Sequence, residues 1–196
     1  MPLFNPTTRL SQFYPWPRDL LFEGEKEALY KYAKDSFTIL EIGVFEGASA
    51  AVLKKALYEY HGTLFLVDPF VPDSMNSKIK ARKWMAKLKV YFTDFFKGKK
   101  VHWIFKYSTE ISVKEKVFDF IFIDGDHTIK GVKKDFFRFN SSLKIGGIIA
   151  FHDSVKFSFG GHPGPMKIRE LILSDFSHKF KLIDTVGTIS FFKRIF

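Results

Sequence analysis

The chain has 196 residues, of which 46% are hydrophobic and 25 are phenylalanine, so it can bury the core of one domain. The absence of cysteine excludes disulfides, thiolate metal ligands and a cysteine nucleophile, while the net charge of +10 favours anionic ligands. No apolar run is long enough for a membrane helix and no secretory signal is evident, which predicts a cytoplasmic protein without a membrane span.

Apolar segments that predict strands alternate along the chain with amphipathic segments that predict helices. Residues 1–18, rich in proline and aromatic residues, predict an irregular N-terminal arm. The predicted strands are Phe37–Ile42, Thr63–Val67, Val101–Phe105, Phe118–Ile123 and Ile148–Phe151, followed by a hairpin of Phe180–Thr185 and Ile189–Lys193. The predicted helices are Arg18–Ala33, Ala48–Tyr60, a basic helix within residues 78–100, Ile129–Leu143 and Met166–Phe176.

This order of elements predicts the fold class. Strands without polar alternation are typical of a parallel sheet that is buried on both faces, and strand–helix alternation implies right-handed crossovers. We therefore expect residues 1–196 to form a single α/β domain with a doubly wound, mostly parallel, seven-stranded Rossmann-like sheet and a C-terminal antiparallel hairpin. Such sheets bind ligands at the carboxyl ends of their strands. Acidic residues stand at four of these ends: Glu41, Asp68, Asp124 and Asp153.

The turn after the first strand favours an amino-acid ligand over a dinucleotide. Gly43 and Gly47 let the backbone approach a ligand closely, and the helix that starts near Ser49 offers free N–H groups to a carboxylate. A dinucleotide site has the spacing G-x-G-x-x-G, whereas this turn has G-x-x-x-G with Glu46 inside it. A carboxylate there would repel a pyrophosphate but could bind an ammonium group or a hydroxyl.

Three further residues have both a ligand-binding and a structural interpretation. Asp68 is placed to accept hydrogen bonds from ribose hydroxyls, or it is a turn residue before Pro69. Glu41 is a ligand contact or a structural carboxylate. Ser108, after the third strand, contacts an adenine edge or caps a helix.

Glu41 to Gly47 (E-I-G-x-x-x-G) and Val67 to Pro69 (V-D-P) resemble the first two motifs of the class I S-adenosylmethionine-dependent methyltransferases. The resemblance covers nearly the whole chain. It implies that S-adenosylmethionine is bound with Asp68 on the ribose and Ser108 on the adenine. It also implies a set of contacts to the methionine moiety: Gly43, Phe45 and Gly47 along it, Glu46 near its amino group and Ser49 on its carboxylate.

Asp124-Gly125-Asp126-His127 and the later His152-Asp153 resemble a small-molecule branch of that superfamily, related to catechol O-methyltransferases and to enzymes that methylate macrolide sugars. The resemblance implies that Asp124 and Asp153 hold Mg²⁺ and that His127 acts as a base. These roles suit methylation of a hydroxyl group. A cation bound by carboxylate oxygens lowers the pKa of the hydroxyl, and an imidazole, which titrates near neutral pH, can take its proton. Asp124 is also expected to border the cofactor. Asp126 and His152 are candidate third ligands or substrate contacts.

Structural alternatives remain for these residues. Asp-Gly-Asp-His can be a turn that caps the next helix, and His152 with Asp153 can be a hydrogen-bonded pair. The basic helix is interpreted as a solvated face whose aromatic residues point to the core, or as a docking surface for nucleic acid or an anionic substrate. The favoured partner is a small-molecule acceptor. The rivals are an RNA methyltransferase and a domain that binds the cofactor without catalysis, and a homodimer is possible.

Overall fold

A computed structural model describes residues 21–22, 24–58, 61–70, 79–93, 98–156 and 161–196. The expected N-terminal arm, residues 1–18, lies outside these residues. Residues 21 and 22 are not helical, so the helix that ends at Ala33 begins at Glu25 and not near Arg18 as predicted. Seven strands are found within the described part of the chain: β1 (Thr38–Ile42), β2 (Thr63–Val67), β3 (Lys100–Ile104), β4 (Phe118–Ile123), β5 (Leu143–Phe151), β6 (Phe180–Val186) and β7 (Ile189–Arg194). The helices there are α1 (Glu25–Ala33), α2 (Ala48–Ala56), α3 (Ile79–Phe92), α4 (Ile129–Phe139) and α5 (Pro163–Ser174).

The strands form one sheet in the order β3-β2-β1-β4-β5-β7-β6. The pairs from β3 to β5 are parallel, whereas β7 is antiparallel to both β5 and β6. The predicted doubly wound sheet and its C-terminal hairpin are therefore confirmed.

Both faces of the sheet are buried, which explains why its central strands lack polar alternation. Along β4, Phe120 and Phe122 pack in the core on one face of the sheet, and Ile121 and Ile123 pack in the core on the other. The second core is strongly aromatic: the ring of Phe136 meets the rings of several other phenylalanines at 5.3–6.1 Å between centroids.

The start of β5 and the end of α4 differ from the prediction. The helix stops at Phe139, where the amide of Asn140 donates hydrogen bonds to the carbonyls of Phe136 and Phe137. Strand β5 begins at Leu143, five residues before the predicted Ile148, and a register shift against β4 accommodates the two glycines. An ion pair of 2.7 Å between the Lys144 ammonium and Asp119 holds this irregular segment on the sheet.

The basic helix α3 contradicts the expectation that its aromatic residues face the core. Trp84 is 65% exposed and Phe92 is 70% exposed, whereas the small residues Ala86 and Val90 are buried. Helix α3 packs closely on the first turn, because a Cβ placed on Gly47 would lie 3.0 Å from the Ala86 Cα. Such a close approach leaves no room for large rings beneath the helix.

Among the described residues, no helix is both long and apolar enough to cross a membrane.

Candidate functional site

The sheet brings the predicted residues together at one edge. In its register, the last residues of β1, β2, β4 and β5 lie side by side. The next residue of each strand therefore leaves the sheet at the same edge: Gly43, Asp68, Asp124 and His152. A cavity of about 570 Å³ opens there. Its lining includes Gly43, Phe45, Asp68, Ser108, Asp124 and Asp135.

Gly43 allows the first turn to pass directly against the loop after β4. Its φ is +86°, and a Cβ at this position would collide with the Asp124 carbonyl and lie 2.7 Å from the Gly125 Cα. Phe45 also has a positive φ, of 50°, and lines the cavity. The turn therefore adopts a tight left-handed path that presents backbone to the cavity.

Asp68 holds this turn through its carboxylate. Its Oδ2 accepts hydrogen bonds from the backbone N–H groups of Val44 (2.9 Å) and Phe45 (3.0 Å). Its Oδ1 accepts a bond of 2.7 Å from the N–H of Phe70. Asp68 is thus a structural clamp on the turn as well as a wall of the cavity.

Glu41, Ser49 and Glu46 are buried beside the turn and are not among the residues that line the cavity. The Ser49 hydroxyl donates a hydrogen bond to Oε1 of Glu41, while Oε2 of Glu41 has no hydrogen-bond partner among the described residues. Burial raises the pKa of Glu41 well above its ordinary value, and the nearby charges of Asp124 and Asp68 raise it further. The sequence-predicted contact of Ser49 with the methionine carboxylate remains a prediction; in this structure its hydroxyl faces Glu41.

Ser108 lies on the opposite wall of the cavity, where it begins a 3-10 helix, Ser108–Glu110. Its hydroxyl donates a hydrogen bond to Oδ1 of Asp135 on α4. Sequence reasoning assigned no role to Asp135, although a signal was present. Asp135 stands at helical spacing with the apolar residues Val132, Phe136 and Phe139, on the face of α4 that is buried.

A second group of polar side chains adjoins the cavity and shares Asp124 with it. Each of Asp124, His127, His152 and Asp153 offers one potential ligand atom, and these four atoms lie within 4.8 Å of one another. Oδ1 of Asp124 is 3.2 Å from Nε2 of His127 and 3.0 Å from Nδ1 of His152. Oδ2 of Asp153 is 3.7 Å and 3.5 Å from the same two nitrogens. These four residues are called the Asp/His cluster below.

The carboxylates and imidazoles of the Asp/His cluster shift one another's pKa towards the charged form. Burial lowers the pKa of His152, but the charge of Asp124 and hydrogen bonds to carboxylates raise it to about 12. Burial raises the pKa of Asp153, but the hydrogen bond and charge of His152 lower it to about 2. The hydrogen bond to Asp124 raises the pKa of His127. The two carboxylates of the cluster therefore favour the protonated form of the imidazoles beside them.

Glu25, which sequence reasoning missed, lies behind the cluster. It is fully buried on α1, and its Oε2 is 3.4 Å from Nε2 of His152. Its other oxygen accepts hydrogen bonds from the backbone N–H of Thr188 (2.7 Å) and from the hydroxyl of Thr188 (2.9 Å). No local pattern reveals this contact, because Glu25 and His152 are 127 positions apart.

Two further polar residues lie next to the cluster. Asp126 is exposed and accepts a hydrogen bond of 2.8 Å from the N–H of Thr128, so it helps to cap α4. His162, in the loop before α5, stacks on His127 with 4.6 Å between ring centroids, and its Nε2 is 3.6 Å from Asp153. This loop therefore covers one side of the cluster.

The comparisons with known proteins agree with this geometry. A family profile described as "Methyltransferase domain" matches residues 40–154, which contain the turn, Asp68 and the whole Asp/His cluster. The chain belongs to this methyltransferase family. The uncharacterized protein R132 of Acanthamoeba polyphaga mimivirus is 28% identical over 128 residues. These residues make up 62% of this chain and 53% of R132, so the chain spans about half the length of this curated relative.

Solved structures of methyltransferases have a similar fold. A methyltransferase from Geobacter sulfurreducens superposes with a TM-score of 0.66 at 13% identity, covering 100% of this chain and 92% of that chain. The O-methyltransferase TomG from Streptomyces achromogenes, in complex with SAM, superposes with a TM-score of 0.61 at 17% identity, covering 89% and 81%. The resemblance to class I S-adenosylmethionine-dependent methyltransferases is confirmed, and at these identities the structural likeness concerns the fold.

Asp135 gives the methyltransferase a pH-dependent stability. Burial raises the pKa of its carboxyl from 3.8 to about 6, although the Ser108 hydroxyl opposes this. The folded state therefore holds a proton that the unfolded state has released, and the free energy of unfolding falls as the pH rises from about 4 to about 6. We expect Asp135→Asn to remove this loss, which amounts to about 2–3 kcal/mol at pH 8.

Urea unfolding at several pH values measures this effect. The difference in unfolding free energy between Asp135→Asn and the wild type should grow in favour of the variant from pH 4 to pH 7. Asp175→Asn, at an exposed position after α5, is the control and should show no such trend. A constant difference between Asp135→Asn and the wild type would show that Asp135 titrates as in the unfolded chain.

Proposed function

We propose that this protein transfers the methyl group of S-adenosylmethionine to a hydroxyl group of a small molecule, with the assistance of a divalent metal ion. The observation that carries the proposal is the position of Asp124, which both lines the cavity and belongs to the Asp/His cluster. A cofactor in the cavity would therefore present its reactive end beside the cluster, where an acceptor hydroxyl can be aligned and deprotonated.

The cofactor would occupy the cavity between the first turn and the Ser108 wall. Gly43 and Phe45 offer the methionine moiety a close approach to backbone, and Asp68 stands at the end of β2, where ribose hydroxyls can be bound. Ser108 and Asp135 line the opposite wall and offer polar contacts to the adenine. Glu46, Gly47 and Ser49 would contribute through the shape of the turn and the start of α2.

The Asp/His cluster fits a divalent cation by its chemistry, because its carboxylates and imidazoles are all metal-binding groups. Asp124 and Asp153 would hold the ion. When bound, such an ion lowers the pKa of a coordinated hydroxyl.

His127 is the proposed base for the methyl transfer. The acceptor oxygen forms a bond to the methyl carbon, the carbon–sulfur bond of the cofactor breaks, S-adenosylhomocysteine leaves, and the hydroxyl proton passes to the imidazole. The His127 side chain is 32% exposed, so an acceptor can reach it. In the metal-free protein the neighbouring carboxylate of Asp124 raises the pKa of His127.

Turnover and cofactor binding, measured separately, test this function. Calorimetry measures the affinity of the protein for S-adenosylhomocysteine. Methyl transfer is assayed on a panel of catechol and sugar hydroxyls with added divalent metal. We expect His127→Gln to lower kcat by roughly 100- to 10,000-fold while the affinity for S-adenosylhomocysteine stays close to that of the wild type. Activity should rise with pH as His127 loses its proton, because only the neutral imidazole accepts a proton.

His178→Gln is the matched control, since His178 is exposed and far along the chain from the cluster. Full activity of His127→Gln would exclude the base role. Binding of S-adenosylhomocysteine without transfer to any hydroxyl would favour a domain that binds the cofactor alone.

A second candidate, RNA methylation, is favoured by the surface of α3. A cleft of about 460 Å³ is lined by Trp84, Tyr91 and Trp103 together with lysines that include Lys87 and Lys99. Exposed aromatic rings among cations are typical of surfaces that stack bases and bind phosphates. A mobility shift of RNA that weakens with salt, and that is lost in Trp84→Ala, would support this candidate over the small-molecule acceptor.

A further inference from the structure

The nitrogen ligands of the Asp/His cluster distinguish it from a site built for magnesium. Mg²⁺ is bound through oxygen atoms and retains water, whereas imidazole suits zinc, iron, copper and nickel. His152 is not a peripheral member of the cluster. Its side chain is only 6% exposed, and its Nδ1 faces both Asp124 Oδ1 (3.0 Å) and Asp153 Oδ2 (3.5 Å).

The spacing of these atoms matches the edges of a metal coordination shell. Ligand atoms that each lie about 2.0–2.2 Å from one ion are separated from their neighbours by roughly 3.0–3.5 Å. The separations of His152 Nδ1 from Asp124 Oδ1, 3.0 Å, and from Asp153 Oδ2, 3.5 Å, fall in this range. The three groups come from two adjacent strand ends, so the sheet itself sets their positions.

The contact between Glu25 and His152 is a second, independent observation. A histidine that binds a metal through one ring nitrogen usually donates the N–H of its other nitrogen to a carboxylate or carbonyl. Here Oε2 of Glu25 lies 3.4 Å from Nε2 of His152, on the side of the ring opposite to the cluster. Glu25 is itself held by Thr188, so it fixes the orientation of the ring and directs Nδ1 to the two aspartates.

We infer that Asp124, His152 and Asp153 form a three-ligand site for a divalent transition metal of the iron-to-zinc series rather than for Mg²⁺, with Glu25 as the positioning residue of His152. This deepens the proposed function, since it names the metal class of the same site. Three protein ligands leave a coordination position open, as in catalytic metal sites, and the more exposed His127 stands beside it.

Metal binding by the full chain, after removal of metals with a chelator, tests the inference without any turnover. Equilibrium dialysis with elemental analysis is carried out with Zn²⁺, Mn²⁺ and Mg²⁺. We expect one equivalent of Zn²⁺ per chain and an affinity for Mg²⁺ that is at least about 100-fold weaker. His152→Asp makes the site all-oxygen, so it should lower the preference for Zn²⁺ over Mg²⁺, whereas the control His178→Gln should leave it unchanged. Equal preference in the wild type and His152→Asp would overturn the inference.

Glu25→Gln tests the positioning role. The loss of a carboxylate behind a metal-bound histidine is expected to weaken Zn²⁺ binding by about 10- to 100-fold. Glu27→Gln, an exposed change on the same helix, is the control. Visible spectra of the Co²⁺-loaded proteins report the ligand geometry directly, so a folded Glu25→Gln variant with an unchanged spectrum and affinity would show that Glu25 is only structural.

Binding of S-adenosylhomocysteine separates the two proposals. A chain that binds S-adenosylhomocysteine and transfers methyl groups with Mg²⁺ alone would contradict the metal inference and leave the proposed function intact. A chain that binds Zn²⁺ through His152 but binds neither S-adenosylhomocysteine nor an acceptor would contradict the proposed function. It would still support the metal inference.

Discussion

Gly43→Ala is expected to lower the free energy of unfolding by roughly 2–4 kcal/mol and to abolish measurable binding of S-adenosylhomocysteine. The added methyl group meets backbone rather than a flexible side chain: it collides with the Asp124 carbonyl and lies 2.7 Å from the Gly125 Cα. The φ of +86° adds strain for any residue with a Cβ. Relief requires the loop after β4 to move, and this loop carries Asp124, which both the cavity and the Asp/His cluster need.

Gly146→Ala is a matched control for this prediction. Gly146 has nearly the same φ, +85°, but a Cβ there would meet no atom within 4 Å. It should therefore show only the cost of the left-handed conformation, roughly 1–2 kcal/mol, and retain cofactor binding. Urea unfolding and calorimetry with S-adenosylhomocysteine measure both variants. Similar losses in the two would mean that the contact between the first turn and Asp124 contributes nothing specific.

Asp68→Ala is expected to weaken the binding of S-adenosylhomocysteine by about 100-fold or more and to destabilise the fold by roughly 2–4 kcal/mol. The substitution leaves three backbone N–H groups, those of Val44, Phe45 and Phe70, without their acceptor. It also removes the carboxylate proposed to bind the ribose. The first turn would lose its shape and its ligand contact together.

Asp68→Asn separates these two contributions. The amide oxygen can still accept hydrogen bonds on one side, so the variant should regain part of the stability while cofactor affinity stays low. Calorimetry and thermal unfolding, with Asp175→Ala as an exposed control, measure the two effects. If Asp68→Ala binds S-adenosylhomocysteine as tightly as the wild type does, the carboxylate has no ribose contact and is a turn clamp alone.

The sequence predicted the sheet well because hydrophobic pattern and chain order carry that information. Thr63–Val67 and Phe118–Ile123 match β2 and β4 at both ends, since each is a short apolar run bounded by polar or turn residues. The prediction failed where tertiary contacts override local pattern. Leu143 enters β5 because Phe118 pairs with it, and Trp84 stays outside the core because α3 packs on Gly47 through Ala86.

In the candidate site, too, the sequence predicted some features and only the tertiary structure revealed others. That Asp68, Asp124 and Asp153 would share an edge followed from the sequence, because parallel strands place their carboxyl ends on one side of a sheet and the residue after each strand is visible in the chain. Helical spacing also places Asp135 on the buried face of α4 with Val132 and Phe136.

The sequence by itself therefore determined which polar residues follow the carboxyl ends of the strands and that these residues share one edge of the sheet. Only the tertiary structure decided which groups touch: Glu25 with His152, Ser108 with Asp135, and Ser49 with Glu41. These contacts depend on how each helix is rotated and seated on the sheet. That seating is the outcome of side-chain packing over the whole core, which no local pattern encodes.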